Sequence, residues 1–135
     1  MNRNSSCFEI AENIFKRIQD YFPGLNMTIN YEAENVDLVM DIPKQDGIDF
    51  EISLNLQNED ELHLSTDYIW CQFFSAKSEN LVEEFYKSVI GLIKGEYRIL
   101  QFVNDTKVYK TFLQKPNGIG WETVYTGHER WRMPW

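Results

Sequence analysis

Four carboxylates, Asp37, Asp41, Asp49 and Glu51, stand at alternate positions in two neighbouring apolar stretches, VDLVMDI and IDFEISLNL. Alternation at a period of two puts them together on one face of a β-hairpin. With the turn between the stretches centred on Gln45, Asp41 lies across from Asp49 and Glu51 lies diagonal to Asp37 and Asp41. Like charges directly opposite each other destabilise a sheet by up to roughly 1 kcal/mol per pair, so the fold gains nothing obvious from this placement. Three chemistries suit it. A basic protein surface could dock there, because complementary charge speeds encounter and selects the partner. A divalent cation wants clustered carboxylate oxygens, although EF-hand spacing is missing. A solvated face that blunts a strand edge is the plain alternative.

A second group lies at the C-terminal end, where Arg130, Trp131, Arg132 and Trp135 are of the residue types that dominate binding hot spots. Two placements follow. Either the tail packs on its own domain with its arginines against the acidic face, or it reaches a dimer mate or another partner.

The nucleophile inventory is short. Cys7 falls in the first turn of a predicted helix, where the helix dipole lowers a thiol pKa. His63 and His128 are the two histidines of the chain. The phase of its strand predicts that His63 faces solvent beside Asn55 and Ser65, and no local pattern brings it to Cys7. Cys71 lies in an apolar run and reads as core. Arg98 and Lys110 are candidate anion binders in a cup between helix and sheet, or pair with a neighbour such as Glu122. No Cys/His spacing suits a metal, no glycine-rich loop suits a phosphate, and no nucleophile-elbow pattern occurs. No cofactor and no metal are expected, and the chain reads as a non-enzyme.

The elements that must position these residues follow from periodicity. Ser6 and Glu9 form a capping box, and Ile10, Ala11, Ile14, Phe15, Ile18, Tyr21 and Phe22 make one apolar helix face up to Pro23-Gly24. Four strands follow, with Leu25, Met27, Ile29 and Tyr31, then Val36, Leu38, Met40 and Ile42, then Ile48, Phe50, Ile52, Leu54 and Leu56, then Leu62 and Leu64 pointing inward. The expected register pairs Ile29 with Leu38, Met40 with Phe50, and Leu54 with Leu64. The run YIWCQFF (68–74) loses alternation and reads as a strand covered on both sides. A second helix spans Ser78 to Lys94 and stops at Gly95. Three strands, 96–103, 107–114 and 119–126, close the domain, with Leu113 expected opposite Trp121. The fold class is therefore α+β, in the order α-β4/5-α-β3. An antiparallel meander carries two helices on one face across residues 1–126, and 127–135 form a tail.

Composition narrows the partners. The chain has 135 residues, 43% of them hydrophobic, enough for a core without metal or disulfides. Two cysteines make no disulfide framework, no stretch approaches the roughly 20 apolar residues of a membrane span, and the N-terminus has no signal-peptide layout. A cytoplasmic location is expected. A net charge of -8 argues against nucleic acid, and the charge is unevenly spread. Residues 32–61 hold ten carboxylates and one lysine, while residues 94–135 hold seven bases and four acids. The leading expectation is an inhibitor-, immunity- or adaptor-like module docking a basic protein through the acidic strands, with a homodimer as a further assembly. The alternative is a small-molecule cup in which the sheet grips a helix and Trp70, Phe73, Phe74, Tyr97, Trp121 and Tyr125 line a cavity.

Overall fold

Helix α1 (Ser6–Tyr21) buries Ala11, Ile14, Phe15 and Ile18, the positions that three- and four-residue spacing selects. The structure, a computed structural model, describes residues 6–127. The Ser6 side chain of the expected capping box lies outside that description, as does the tail with His128, Arg130, Trp131, Arg132 and Trp135.

Five strands follow: β1 (Thr28–Asn30), β2 (Leu38–Ile42), β3 (Ile52–Gln57), β4 (Glu61–Ser65) and β5 (Trp70–Phe74). They form an antiparallel meander in chain order. Leu38, Met40, Ile42, Ile52, Leu54, Leu56, Leu62 and Leu64 are all almost fully buried, so the inward set of β2–β4 is as alternation requires. Helix α1 crosses β2 and β3, and helix α2 (Glu79–Lys94) crosses β4 and β5. Phe85 of α2 meets Phe15 of α1 at 6.4 Å and Phe73 of β5 at 5.5 Å between ring centroids. The Ser78 hydroxyl caps α2 by accepting from the Leu81 N–H, and Gly95 closes it in the left-handed region at φ 75°.

After α2 come β6 (Arg98–Asn104), β7 (Lys107–Asn117) and β8 (Gly120–Thr126). They form a separate three-stranded meander rather than an extension of the first sheet. This small sheet leans on the first through Leu113, which is fully buried, and through Tyr125, whose ring lies 5.8 Å from that of Phe73. Tyr97 lies across α2 at Gly91, where an added Cβ would strike the phenol ring. A glycine is required there by close approach, not by backbone geometry.

Three registers differ from those expected, each by an even number of residues or at a bulge. Across β2 and β3, Ile42 pairs with Ile52, Met40 with Leu54 and Leu38 with Leu56. Between β1 and β2, Ile29 pairs with Met40 instead of Leu38. In the last hairpin Leu113 faces Tyr125, and β7 runs on through Pro116 to a turn at Gly118. The β3–β4 hairpin has the expected pairs Leu54–Leu64 and Leu56–Leu62. An even slip keeps every side chain on its own face, so the hydrophobic pattern does not oppose it. The β2–β3 ladder is set instead by a small turn that takes up the slack. Gln45 and Ile48 exchange backbone hydrogen bonds around Gly47 at φ 88°, and the Gln45 side chain is tied to both backbone groups of Asn26.

Candidate functional site

The slipped register separates the carboxylates that the sequence placed face to face. Asp41 stands across from Ser53 and accepts its hydroxyl at 3.2 Å, so the expected Asp41–Asp49 opposition does not occur. Asp37 accepts the Glu59 backbone N–H at 3.1 Å, while its own N–H donates to the Leu56 carbonyl. Two of the four carboxylates thus hold local structure. Asp49 and Glu51 leave the ladder altogether and sit exposed in the 43–51 connection. The four tail residues Arg130, Trp131, Arg132 and Trp135 lie outside the described residues.

His63 is the clearest correction. It does pair with Asn55 on the face away from the helices, but it is only 1% exposed. Trp70 of β5 lies beside it with the two rings 22° from parallel and donates its indole N–H to Nδ1 at 2.7 Å. An accepting Nδ1 places the ring proton on Nε2, which donates to Glu61 Oε1 at 3.1 Å. Gln72 donates to the same oxygen at 2.8 Å. Both ring nitrogens are engaged, so the imidazole is not offered to a nucleophile. Alternation fixed the face of His63, but not what lies over that face. Cys7 and Cys71 are both free and buried, and burial pushes the Cys71 thiol far above its ordinary pKa. That is the opposite of an activated thiol.

The concave feature that remains lies at the seam between the two sheets. It is a cleft of about 400 Å³ walled by the 43–51 connection (Ile48, Asp49, Phe50), the β4–β5 turn (Tyr68), the last turn of α2 (Leu92, Ile93) and the start of β6 (Ile99, Gln101). Each wall is fixed locally. The connection is held by Gln45 against Asn26. Tyr68 is set by the Thr66 hydroxyl, which accepts the N–H groups of both Tyr68 and Ile69. The end of α2 is turned into β6 by the Gly91 carbonyl, which accepts from both Glu96 and Tyr97. Phe50 and Tyr68 meet edge to face with ring centroids 5.9 Å apart, so the two rings form a corner of the cleft.

Two cations border this cleft, Lys94 and Arg98, and both are turned to groups outside it. The Arg98 guanidinium donates from Nε to Gln114 at 2.8 Å and lies 4.2 Å over the Trp121 ring. Neither Gln114 nor Trp121 lines the cleft. Glu122, the partner expected from sequence, instead meets Lys115 and Asn117, and Lys110 is exposed. The Lys94 ammonium reaches the Tyr21 hydroxyl at 3.2 Å and Glu96 at 3.4 Å, contacts that raise its pKa. Asp49 is left without a hydrogen bond or ion pair among the described residues.

Of the six aromatics that the sequence offered as cavity lining, Tyr97 borders this cleft. Its phenol pKa is raised, first by burial and then by Glu84, Glu96 and Glu122. Trp70 is taken by His63, Phe73 and Tyr125 pack on each other, Trp121 lies under Arg98, and Phe74 is 62% exposed. Phe50 and Tyr68 were missed as a pair because they stand 18 positions apart, on either side of the β3–β4 hairpin, and the long β2–β3 connection brings them together. Among the described residues no group of three or more His, Cys, Asp or Glu side chains is arranged to hold a metal ion, and no helix is long and apolar enough to cross a membrane. A scan against protein-family models and searches of curated proteins and of solved structures returned no match.

Proposed function

We propose that this protein is a non-enzymatic binding module that takes a small, largely apolar molecule in the cleft at the seam of its two sheets. The observation that carries this reading is the cleft itself. Its volume of about 400 Å³ falls within the roughly 300–1,000 Å³ of small-molecule sites. Aliphatic and aromatic side chains such as Ile48, Phe50, Ile93 and Ile99 share its walls with the polar Asp49, Gln101, Lys94 and Arg98, so an apolar body can be held beside polar anchoring groups. These walls are held by hydrogen bonds from the Gln45 side chain, the Thr66 hydroxyl and the Gly91 carbonyl, so the shape exists before a ligand arrives and little ordering cost is added on binding. The two free, buried cysteines suit a reducing cytoplasm.

The test is a fluorescence titration with prodan, a neutral naphthalene dye whose emission shifts to the blue in apolar surroundings. Saturable blue-shifted binding is expected for the parent chain. Gln101→Trp, which fills the cleft from β6, should weaken it at least tenfold. Binding that Gln101→Trp leaves unchanged would place the dye elsewhere and end this reading.

A second reading rests on a different observation. Asp46, Asp49 and Glu51 are exposed in one connection, within a segment of ten carboxylates and one lysine. That end of the molecule suits docking of a basic protein. Native mass spectrometry of the parent and of the Asp37/Asp41/Asp49/Glu51 to Asn/Gln variant separates the readings. A basic partner carried by the parent and lost from the variant supports docking.

A further inference from the structure

We propose that the face of the larger sheet turned away from the helices is a docking surface for the chain's own C-terminal tail, residues 128–135, anchored by Trp131.

The first observation is burial with no covering layer to account for it. Asn55, His63 and Ser65 are each 1% exposed and Gln57 is 8% exposed, and all four project from β3 and β4 on the side opposite the buried leucines. Contacts among them come from the same sheet. Gln57 donates to Asn55 at 3.0 Å, while Trp70 and Glu61 hold the two nitrogens of His63. A single layer of side chains with water above it leaves polar residues part exposed, as on the solvated face of an antiparallel sheet. A second layer is therefore required. The helices do not supply it, since α1 and α2 pack on the leucine side. The small sheet arrives on that side as well, through Tyr125 on Phe73, which shares its face with Leu62.

The second observation is where the chain stands at Gly127. Its N–H donates to the Thr111 carbonyl, and its backbone runs so close to Ile69 that an added Cβ would strike that side chain. Ile69 immediately precedes β5, the edge strand of the larger sheet. The tail thus starts beside the face that lacks a cover. Crossing from β5 to β3 takes roughly 10 Å at the usual strand spacing. Trp131, four positions beyond Gly127, reaches roughly 13 Å in an extended chain, enough to lie over the Asn55–His63 pair.

The third observation is charge. The Glu61 side chain is 19% exposed, and its partners His63, protonated on Nε2 alone, and Gln72 are both neutral. A carboxylate so far withdrawn from water calls for a cation. Asp41 stands exposed on the same face. The tail carries Arg130 and Arg132 next to Trp131, so its charge complements the surface it would cover.

The experiment places a nitroxide on Met133→Cys in the full 15N-labelled chain; Cys7 and Cys71 are buried and escape the reagent. The spectrum after reduction of the nitroxide is the reference and shows that the variant is folded. Amides of Asn55, His63, Ser65 and Gln72 should lose the most intensity, and those of α1 and α2 the least. Adding Trp131→Ser should restore the lost peaks. Loss centred on the helices or the small sheet, weak loss spread over the whole chain, or loss that Trp131→Ser leaves unchanged would overturn the proposal. So would equal loss in a 15N-labelled chain without nitroxide, mixed with a nitroxide-bearing chain without 15N, because the tail would then belong to a second copy.

Discussion

The two sheets of this protein have the same antiparallel meander topology but very different surroundings. Strands β3 and β4 of the larger sheet are buried on both faces. Leu54, Leu56, Leu62 and Leu64 lie under the helices, and Asn55, Gln57, His63 and Ser65 are buried on the opposite side. The smaller sheet buries Leu113 and Thr111 and leaves Phe102, Val103 and Ile119 open, Ile119 completely so. The larger sheet is thus the scaffold and the smaller one a wing set against its edge. The cleft at the seam takes walls from the connections and helix of the scaffold and from the first strand of the wing.

The largest expected effect tests the scaffold against the wing. Leu64→Ala, at a fully buried position in β4, should cost about 2–5 kcal/mol in urea denaturation through lost burial and a residual cavity. Ile119→Ser, at the exposed tip of the wing, should stay within about 0.5 kcal/mol of the parent. Comparable costs at the two sites would show that the wing is as integral to the core as the scaffold.

A smaller effect sharpens the seam. Gly91→Ala adds a methyl group where the Tyr97 ring already lies. Overpacking costs about 1–3 kcal/mol, offset by the gain of about 1 kcal/mol in helix propensity, so a net loss of up to about 2 kcal/mol is expected. The displaced ring should also weaken prodan binding, since Tyr97 borders the cleft. A stabilised variant would mean that propensity, not the close contact, governs this position.

The smallest expected effect is at alkaline pH. Burial raises the pKa of Cys71 from 9.0 and, as the first cause, those of Tyr97 and Tyr125 from 10.0. The unfolded chain therefore releases these protons at lower pH than the folded chain does. The stability they confer is full below about pH 8 and falls as pH rises through 9 and then 10. Thermal denaturation between pH 8 and 11 should show this decline, with its earliest part removed in Cys71→Val. A melting temperature constant across that range would refute the assignment.

Much of the scaffold was legible in the sequence, because period-two alternation tells the two faces of a strand apart and the β3–β4 hairpin leaves no room to slip. The same pattern is blind to an even slip, so Asp41 met Ser53 rather than Asp49, and the self-opposed carboxylates that suggested a docking face dissolved into a local hydrogen bond and a loop. The burial of His63 had a signal. The run 68–74, which loses alternation, implied cover on both sides of β5, and His63 pairs with Gln72 within that strand. The cleft had none, since Phe50, Tyr68, Ile93 and Ile99 come from four separate elements and meet only once the sheets are docked.

The most direct test of the seam cleft as a binding site is amide shift mapping, by 15N–1H NMR, on titration with prodan. Shifts concentrated at residues 47–50, 68 and 92–101 are the expected result. Shifts centred on the Trp121 face of the wing or on strands β2 and β3, with the seam unmoved, would contradict it.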